Sequence, residues 1–348
     1  MERNLAIKDL KTGLKASNKK EDVINAIRHR ETRKIPYQLD LTHDVLKRLT
    51  AEIPSIDFEK GIGSCLALER NESFQAVGED KERDMFGVVW RKDQTGDFGV
   101  VDTIILTEPT LKGYTFPEPD EALIREKCER LTSVENLGLF KMYIIGFSLF
   151  ERAWSLRGME NVLTDFILDP TFANELLENI TQYNLKVMDI VMEYPVDGIF
   201  FGDDWGQQKG LIMGPALWRK FIKPYLLKMY SHAKKKGLYV CQHSCGDVEE
   251  VFSDLIDIGL DIYNTFQPEI YDISKVKKEY GKHLTFYGGI STQHILPHGT
   301  AEQVKEVTKK TMEIMHENGG FIVAPTHAIP TDVPTENILA FIEAVQNQ

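Results

Sequence analysis

The sequence predicts an α/β protein of the (β/α)8 TIM barrel class. Eight short apolar runs of strand type alternate with stretches of helical periodicity along the 348 residues, and eight such units are the number that closes a barrel. Most of the later runs end in acids, cysteines, histidines or glycines, and barrel active sites form at the carboxyl ends of the strands. A doubly wound sheet is the alternative, but the first run is followed by Asp40-Leu41-Thr42-His43, which lacks its glycine-rich phosphate loop.

The elements follow one another in a regular order after an irregular first third. We expect residues 1–33 to form a polar helical extension and residues 34–348 to form the barrel. The predicted strands begin at Ile35, Ser64, Phe140, Val196, Gly237, Asp261, Leu284 and Phe321. Between Met85 and Leu106, β-type residues flank a Gln-Thr-Gly-Asp turn at 94–97, which is a hairpin signal. We interpret 85–106 as an insertion, either a lid over the barrel mouth or a hairpin at its bottom.

Composition excludes several classes of partner. The net charge of -12 argues against nucleic acid and anionic membranes, because phosphate binding is driven by clustered Lys and Arg. No apolar run approaches the roughly 20 residues of a membrane span, and the charged N-terminus does not resemble an export signal. Four cysteines give no small-domain disulfide framework. We therefore expect a cytoplasmic protein; apolar helix residues are compatible with a homodimer, although no heptad pattern indicates one.

The stretch from Gly237 to Val248 carries the strongest site signal. Cys241, His243 and Cys245 share one face of its strand, but an extended strand would separate the two cysteines by roughly 13 Å, too far for one zinc ion. His243 and Cys245, nearest the mouth, are the better pair. A catalytic zinc takes three protein ligands, and His327 at the end of the last strand is the candidate third. The alternative is that all three are neutral packing and hydrogen-bonding groups.

Other strand ends supply candidate catalytic and substrate-binding groups. Asp203 and Asp204 follow an apolar run, where adjacent acids suggest proton transfer, although one of them could cap a helix. His327 could also act as a general acid. The candidate substrate-binding residues are Glu151, Arg152, Trp205, Gln267, Gly288 and Gly289. Arg152 could hold an anion, but an ordinary helix ion pair is equally compatible with the sequence.

These motifs together resemble the uroporphyrinogen decarboxylase superfamily. The segments that carry the resemblance are 202–206 (GDDWG), 243–246 (HSCG), 287–290 (YGGI), 324–327 (APTH) and 332–338 (DVPTENI). The likeness extends from about Ile35 and is strongest after Val196. It implies a (β/α)8 barrel and two chemistries: decarboxylation of tetrapyrroles without a cofactor, and corrinoid-linked methyl transfer in which zinc activates a thiol or related group.

Details of the resemblance favour the methyltransferase branch, of the coenzyme M type. The decarboxylases carry an Arg-Gln-Ala-Gly-Arg segment that holds substrate carboxylates, whereas this chain has Asp40-Leu41-Thr42-His43-Asp44 after its first strand. The zinc methyltransferases are similar in having His-x-Cys at the place of His243 and Cys245. Their third ligand is a cysteine in a motif like Ala-Pro-Gly-Cys, so the resemblance implies that His327 takes its place.

Three functions remain to be separated. The first is a zinc-dependent methyltransferase acting on a small molecule, with Asp203 or Asp204 handling a proton and the corrinoid on a separate partner protein, since no cobalamin-binding motif is visible. The second is a decarboxylase of a carboxylated tetrapyrrole or smaller substrate, with one of these acids stabilising a protonated intermediate and His327 as the acid. The third is a non-catalytic barrel that binds a small ligand. Bound metal separates the first from the second, and turnover separates both from the third.

Overall fold

The computed structural model describes residues 19–59, 62–91 and 99–348. Its α-helices are α1 Lys19–Ile27, α2 His43–Glu52, α3 Glu121–Leu131, α4 Phe150–Arg157, α5 Met159–Leu168, α6 Pro170–Val191, α7 Gly214–Leu217, α8 Lys223–Lys235, α9 Phe252–Asp257, α10 Ile273–Tyr280, α11 Ile295–His298, α12 Ala301–Met315 and α13 Thr335–Gln346. Its strands are β1 Leu66–Arg70, β2 Phe74–Ala76, β3 Lys81–Asp84, β4 Val89–Arg91, β5 Val100–Val101, β6 Phe140–Ile145, β7 Gly198–Gly202, β8 Gly206–Gln207, β9 Gly210–Leu211, β10 Tyr239–His243, β11 Ile262–Phe266, β12 Thr285–Ile290 and β13 Phe321–Pro325.

The chain divides into two compact units. The first unit contains the chain up to Ala67, Val134–Lys141 and Asp261–Gln348; the second contains Leu68–Ser133 and Met142–Leu260. Both units alternate parallel strands with helices, which confirms the α/β class predicted from the sequence. Closure of eight strands into one barrel stays a prediction. None of the described helices combines the length and apolar character needed to cross a membrane.

In the second unit, the parallel strands follow the order β1, β6, β7, β10. Register places Ile145 beside Phe201 and Gly202 beside His243. Every residue of β6 is buried, as expected of a parallel strand covered on both faces. Because parallel strands end at the same edge, the residues that follow β6, β7 and β10 come together there.

An antiparallel sheet of order β2, β3, β4, β5 also belongs to the second unit. β4 and β5 pair through Trp90 and Val101, on either side of the turn expected at 94–97, which lies outside the described residues. The sheet begins at Phe74, so it includes residues that precede the predicted insertion. Asp84, at the end of β3, accepts hydrogen bonds from the backbone N–H groups of Phe86 and Val88.

In the first unit, β11, β12 and β13 are parallel neighbours. The first predicted strand lies beside β13, but it forms only an isolated parallel bridge between Tyr37 and Val323. Pro36 has no N–H to donate, which limits the ladder at this point. The backbone of Tyr37 in turn accepts a hydrogen bond from Cys65. The neighbouring strand β1 begins at Leu66, two residues later than the start expected at Ser64.

Two further boundaries differ from the sequence-based expectation. The long helix expected from Pro215 to Lys236 is divided into α7, a π-helical turn at Trp218–Ile222 and α8. Pro224 explains the division, because its ring removes a donor and clashes with the carbonyl four residues earlier. Gly288 and Gly289 lie inside β12 rather than after it.

Candidate active site

Asp203 is a buried anchor at the carboxyl end of β7. Its carboxylate accepts hydrogen bonds from the backbone N–H groups of Leu149, Phe150 and Glu151 at 3.4, 3.0 and 2.7 Å, and from the indole N–H of Trp205 at 2.5 Å. Leu149, the N-cap residue of α4, has no capping side chain of its own. Asp203 therefore satisfies this helix N-terminus, where a negative charge is favoured.

The side chain of Asp203 is fully inaccessible to solvent, and this burial changes its pKa. Desolvation raises the pKa of Asp203 to about 6, and the hydrogen bonds from Glu151, Phe150 and Trp205 oppose that shift. All of its hydrogen bonds are accepted ones, which require the carboxylate form. Its position, with no exposed surface, fits a residue that holds α4 in place better than one that contacts a substrate.

Asp204, His243 and Cys245 bring three metal-binding atoms together. One oxygen, one nitrogen and one sulfur from these side chains lie within 4.8 Å of one another. The His243 Nε2 atom is 3.4 Å from Cys245 Sγ and 3.5 Å from Asp204 Oδ1. Two donors on a tetrahedral zinc, with bonds of about 2.0–2.3 Å, lie roughly 3.4–3.6 Å apart. The donor types and the two distances from His243 fit a zinc ion.

Two glycines allow this convergence. A Cβ on Gly246, whose φ is +79°, would lie 2.3 Å from the backbone carbon of Gly206, and a Cβ on Gly206 would lie 2.5 Å from the carbonyl oxygen of Cys245. The loops after β7 and β10 therefore pack backbone against backbone. The backbone N–H of Trp205 donates to Ser244 Oγ at 3.0 Å, which joins the two loops.

Burial and neighbouring carboxylates disfavour the ionised forms of two acidic groups at this site. Burial, together with the charge of Asp204, raises the pKa of the Cys245 thiol. Burial and the charges of Asp204 and Asp203 raise the pKa of Glu151 well above its ordinary value. A divalent cation would favour the thiolate and offset the repulsion between the carboxylates, so the electrostatics agree with the geometry.

The other candidate residues have diverse environments. Arg152 is buried in an ion pair with Asp84, a partner that sequence reasoning missed because it lies in the antiparallel sheet, 68 residues earlier. Trp205 is fully buried, and its ring centroid lies 5.5 Å from that of Trp218, so its side chain offers no surface to a substrate.

Gln267 and His327 follow β11 and β13 in the first unit. The role of His327 as a zinc ligand stays a prediction.

Sequence reasoning identified His243 and Cys245 as a ligand pair but assigned Asp204 to proton transfer. A signal for Asp204 as a candidate third donor was present, because parallel pairing of β7 with β10 brings the residues after the two strands to one edge. The inter-strand register places Asp204, and not Asp203, beside Cys245. This register could be determined only from the structure.

Asp204, His243 and Cys245 thus form a candidate metal site where parallel strands of an α/β fold end. The family model described as "Uroporphyrinogen decarboxylase (URO-D)" matches residues 141–348, which is more than half of the chain. The chain belongs to this family, as the sequence motifs had indicated.

Individual relatives are more distant. The uroporphyrinogen decarboxylases of three Coxiella burnetii strains are 23% identical over 186 residues, which cover 51% of this chain and 48% of each relative. This chain therefore matches about half the length of those relatives. A solved structure described as a methyltransferase from Methanosarcina mazei superposes with a TM-score of 0.67 at 18% identity, covering 95% of this chain and 99% of the other. At that identity the likeness shows a shared fold.

Proposed function

We propose that this protein is a zinc-dependent methyltransferase that moves a methyl group between a small molecule and a corrinoid carried by a separate protein. The observation that carries the proposal is the convergence of Asp204, His243 and Cys245 within 4.8 Å. The fold shared with a protein described as a methyltransferase supports it. Zinc bound by these three residues would act as a Lewis acid that lowers the pKa of a thiol or hydroxyl group of the substrate.

The chain's own residues would prepare the site. Asp204 has two tasks, because its Oδ1 atom also accepts the backbone N–H of Cys245 at 2.7 Å and so fixes the loop that carries the sulfur. Asp203 positions Glu151 at the first turn of α4 by accepting its backbone N–H. We assign Asp203 a positioning role and Asp204 a ligand role, and His327 stays a candidate ligand or acid.

A methyl-transfer assay tests the proposal. Zinc-loaded protein is mixed with methylcobalamin and a panel of small thiols, and transfer converts methyl–cobalt(III) and a thiolate into a thioether and cobalt(I), which changes the visible spectrum. Cys245→Ala should abolish transfer. Cys241→Ala is the matched control, since Cys241 is a fully buried residue of the same strand. Equal loss in both variants, or no transfer to any thiol of the panel, would contradict the proposal.

A decarboxylase is the second candidate, favoured by the family match and by the relatives that share its name. In that case Asp204, the more accessible of the two acids, would stabilise a protonated intermediate and His327 would act as the general acid. Release of CO2 from a carboxylated pyrrole by metal-free protein, with no methyl transfer by the zinc-loaded form, would select this candidate.

A further inference from the structure

Trp205 connects the anchor of α4 with the loops that carry the candidate metal donors. It directly follows Asp204 in the chain, and its side chain is fully buried. Its indole N–H donates to Asp203 Oδ2 at 2.5 Å, and its backbone N–H donates to Ser244 Oγ at 3.0 Å. A single residue therefore bonds both to the acid that holds α4 and to the loop that carries Cys245.

Ser244 stands between the two donors contributed by β10 and its following loop, His243 and Cys245. Its buried hydroxyl accepts the Trp205 N–H and donates to the carbonyl oxygen of Cys245 at 3.1 Å. A displacement of the Trp205 backbone would therefore disturb the segment that carries both donors. It would also move Asp204, the third donor, because the two residues share a planar peptide unit.

The side chain of Trp205 is itself held from two sides. Asp203 binds its indole N–H, and the ring of Trp218 packs edge to face against it, with centroids 5.5 Å apart and an interplanar angle of 67°. Trp218 begins the π-helical turn Trp218–Ile222, and turns of this kind are frequent at functional sites. The Trp205 carbonyl oxygen also accepts the N–H of Ile212 at 2.8 Å. The Trp205 backbone cannot shift without breaking at least one of these contacts.

We propose that Trp205 is a positioning residue for the candidate metal donors. Its indole hydrogen bond to Asp203 fixes the loop that carries Asp204. Its backbone hydrogen bond to Ser244 fixes the loop that carries Cys245. Groups that orient metal ligands without binding the metal typically contribute 10–100-fold to metal affinity. The inference rests on the proposed metal centre and assigns a task to a residue that offers no surface to a substrate.

Three variants of the full chain test the effect on zinc affinity, measured by competition with a chromophoric chelator. Trp205→Phe removes the indole donor but keeps an aromatic ring, and Ser244→Ala removes the second link while leaving Asp203 bound. Trp90→Phe is the matched control, because Trp90 is also buried and its indole N–H also donates to a buried carboxylate, Asp84 Oδ2 at 3.1 Å. The first two variants should each weaken zinc binding roughly tenfold. Trp90→Phe should lose a similar amount of stability in denaturant and keep the wild-type zinc affinity.

Crystal structures of the metal-free proteins test the positioning separately from the metal. The distance from His243 Nε2 to Asp204 Oδ1, 3.5 Å in the wild type, should increase in Trp205→Phe and stay the same in Trp90→Phe. If Trp205→Phe does not fold, Ser244→Ala carries both measurements.

Unchanged donor geometry or unchanged zinc affinity in Trp205→Phe and Ser244→Ala would overturn the proposal. An equal loss of zinc affinity in Trp90→Phe would also overturn it, because the effect would then follow stability alone. A wild type that binds no zinc, combined with the predicted change in donor geometry, would support the positioning role and reject the zinc-dependent function.

Discussion

The Asp204 carboxylate accepts the backbone N–H of Cys245 at 2.7 Å, which joins the loops after β7 and β10 at the point where the metal donors meet. The same carboxylate lies 3.5 Å from the His243 ring. The position of the Cys245 sulfur is therefore set by Asp204 as well as by the loop after β10. A change in either loop should disturb all three candidate metal ligands.

Gly246→Ala tests this dependence of the site on close backbone packing. The new Cβ would lie 2.3 Å from the Gly206 backbone, so the loops must separate, and both stability and zinc affinity should fall. Gly237→Ala is the matched control: Gly237 also has a positive φ, +74°, but no atom within 4 Å of a Cβ. It should cost only the left-handed strain of about 1–2 kcal/mol and leave zinc affinity unchanged. Thermal unfolding and zinc titration measure both effects, and equal zinc affinity in the two variants would contradict the packing argument.

Much of the fold could be predicted from the sequence because buried parallel strands appear as short apolar runs. The runs at Phe140, Val196, Asp261 and Phe321 each contain a strand. The strand predicted at Ile35 was less accurate. Pro36 has no N–H for the hydrogen-bond ladder, and the segment forms an isolated bridge instead of a strand. The helix predicted at 215–236 is interrupted by a π-helical turn before Pro224. Hydrophobic periodicity alone does not predict such a change of helix type.

Asp203→Asn should destabilise the protein strongly. An amide in this fully buried position would direct donors at other donors, so we expect a loss of about 2–4 kcal/mol in the free energy of unfolding. Asp120→Asn is the control, because Asp120 is an exposed N-cap residue that accepts one N–H, from Leu123 at 3.0 Å. It should cost less than about 1 kcal/mol. Denaturant unfolding measures both, and comparable losses would show that Asp203 is not the anchor of α4.

The contribution of His29 and His316 to stability should fall as the pH drops below about 6.5. The raised pKa of Asp203 acts in the opposite direction, so the two histidine variants, and not the wild type alone, carry the test. In the first unit, burial and the nearby charge of Lys277 lower the pKa of His29 and of His316 below the ordinary histidine value of about 6.5. The unfolded chain then binds more protons than the folded one between the lowered pKa values and 6.5, so acid favours unfolding in that window. Denaturant unfolding at pH 8 and pH 5.5 tests this: His29→Gln and His316→Gln should each reduce the pH dependence, and an unchanged dependence would assign it to other groups.

The candidate site was only partly predictable. His243 and Cys245 could be identified because residues two apart on a strand share a face. Asp204 as a third donor depends on inter-strand register, and the Arg152–Asp84 ion pair depends on a sheet contributed by distant residues. The spacing of residues along one strand can be taken directly from the sequence. Contacts between different strands and loops depend on how these elements pack against each other.

Metal content is the measurement that tests the central claim most directly. Protein purified without a histidine tag from zinc-supplemented medium should contain one zinc per chain by plasma emission. Zinc should be lost in Asp204→Ala, His243→Ala and Cys245→Ala and retained in Cys241→Ala; His327→Ala reports whether that histidine is a further ligand. A metal-free wild type, or zinc retained after loss of any of the three donors, would contradict the proposed centre.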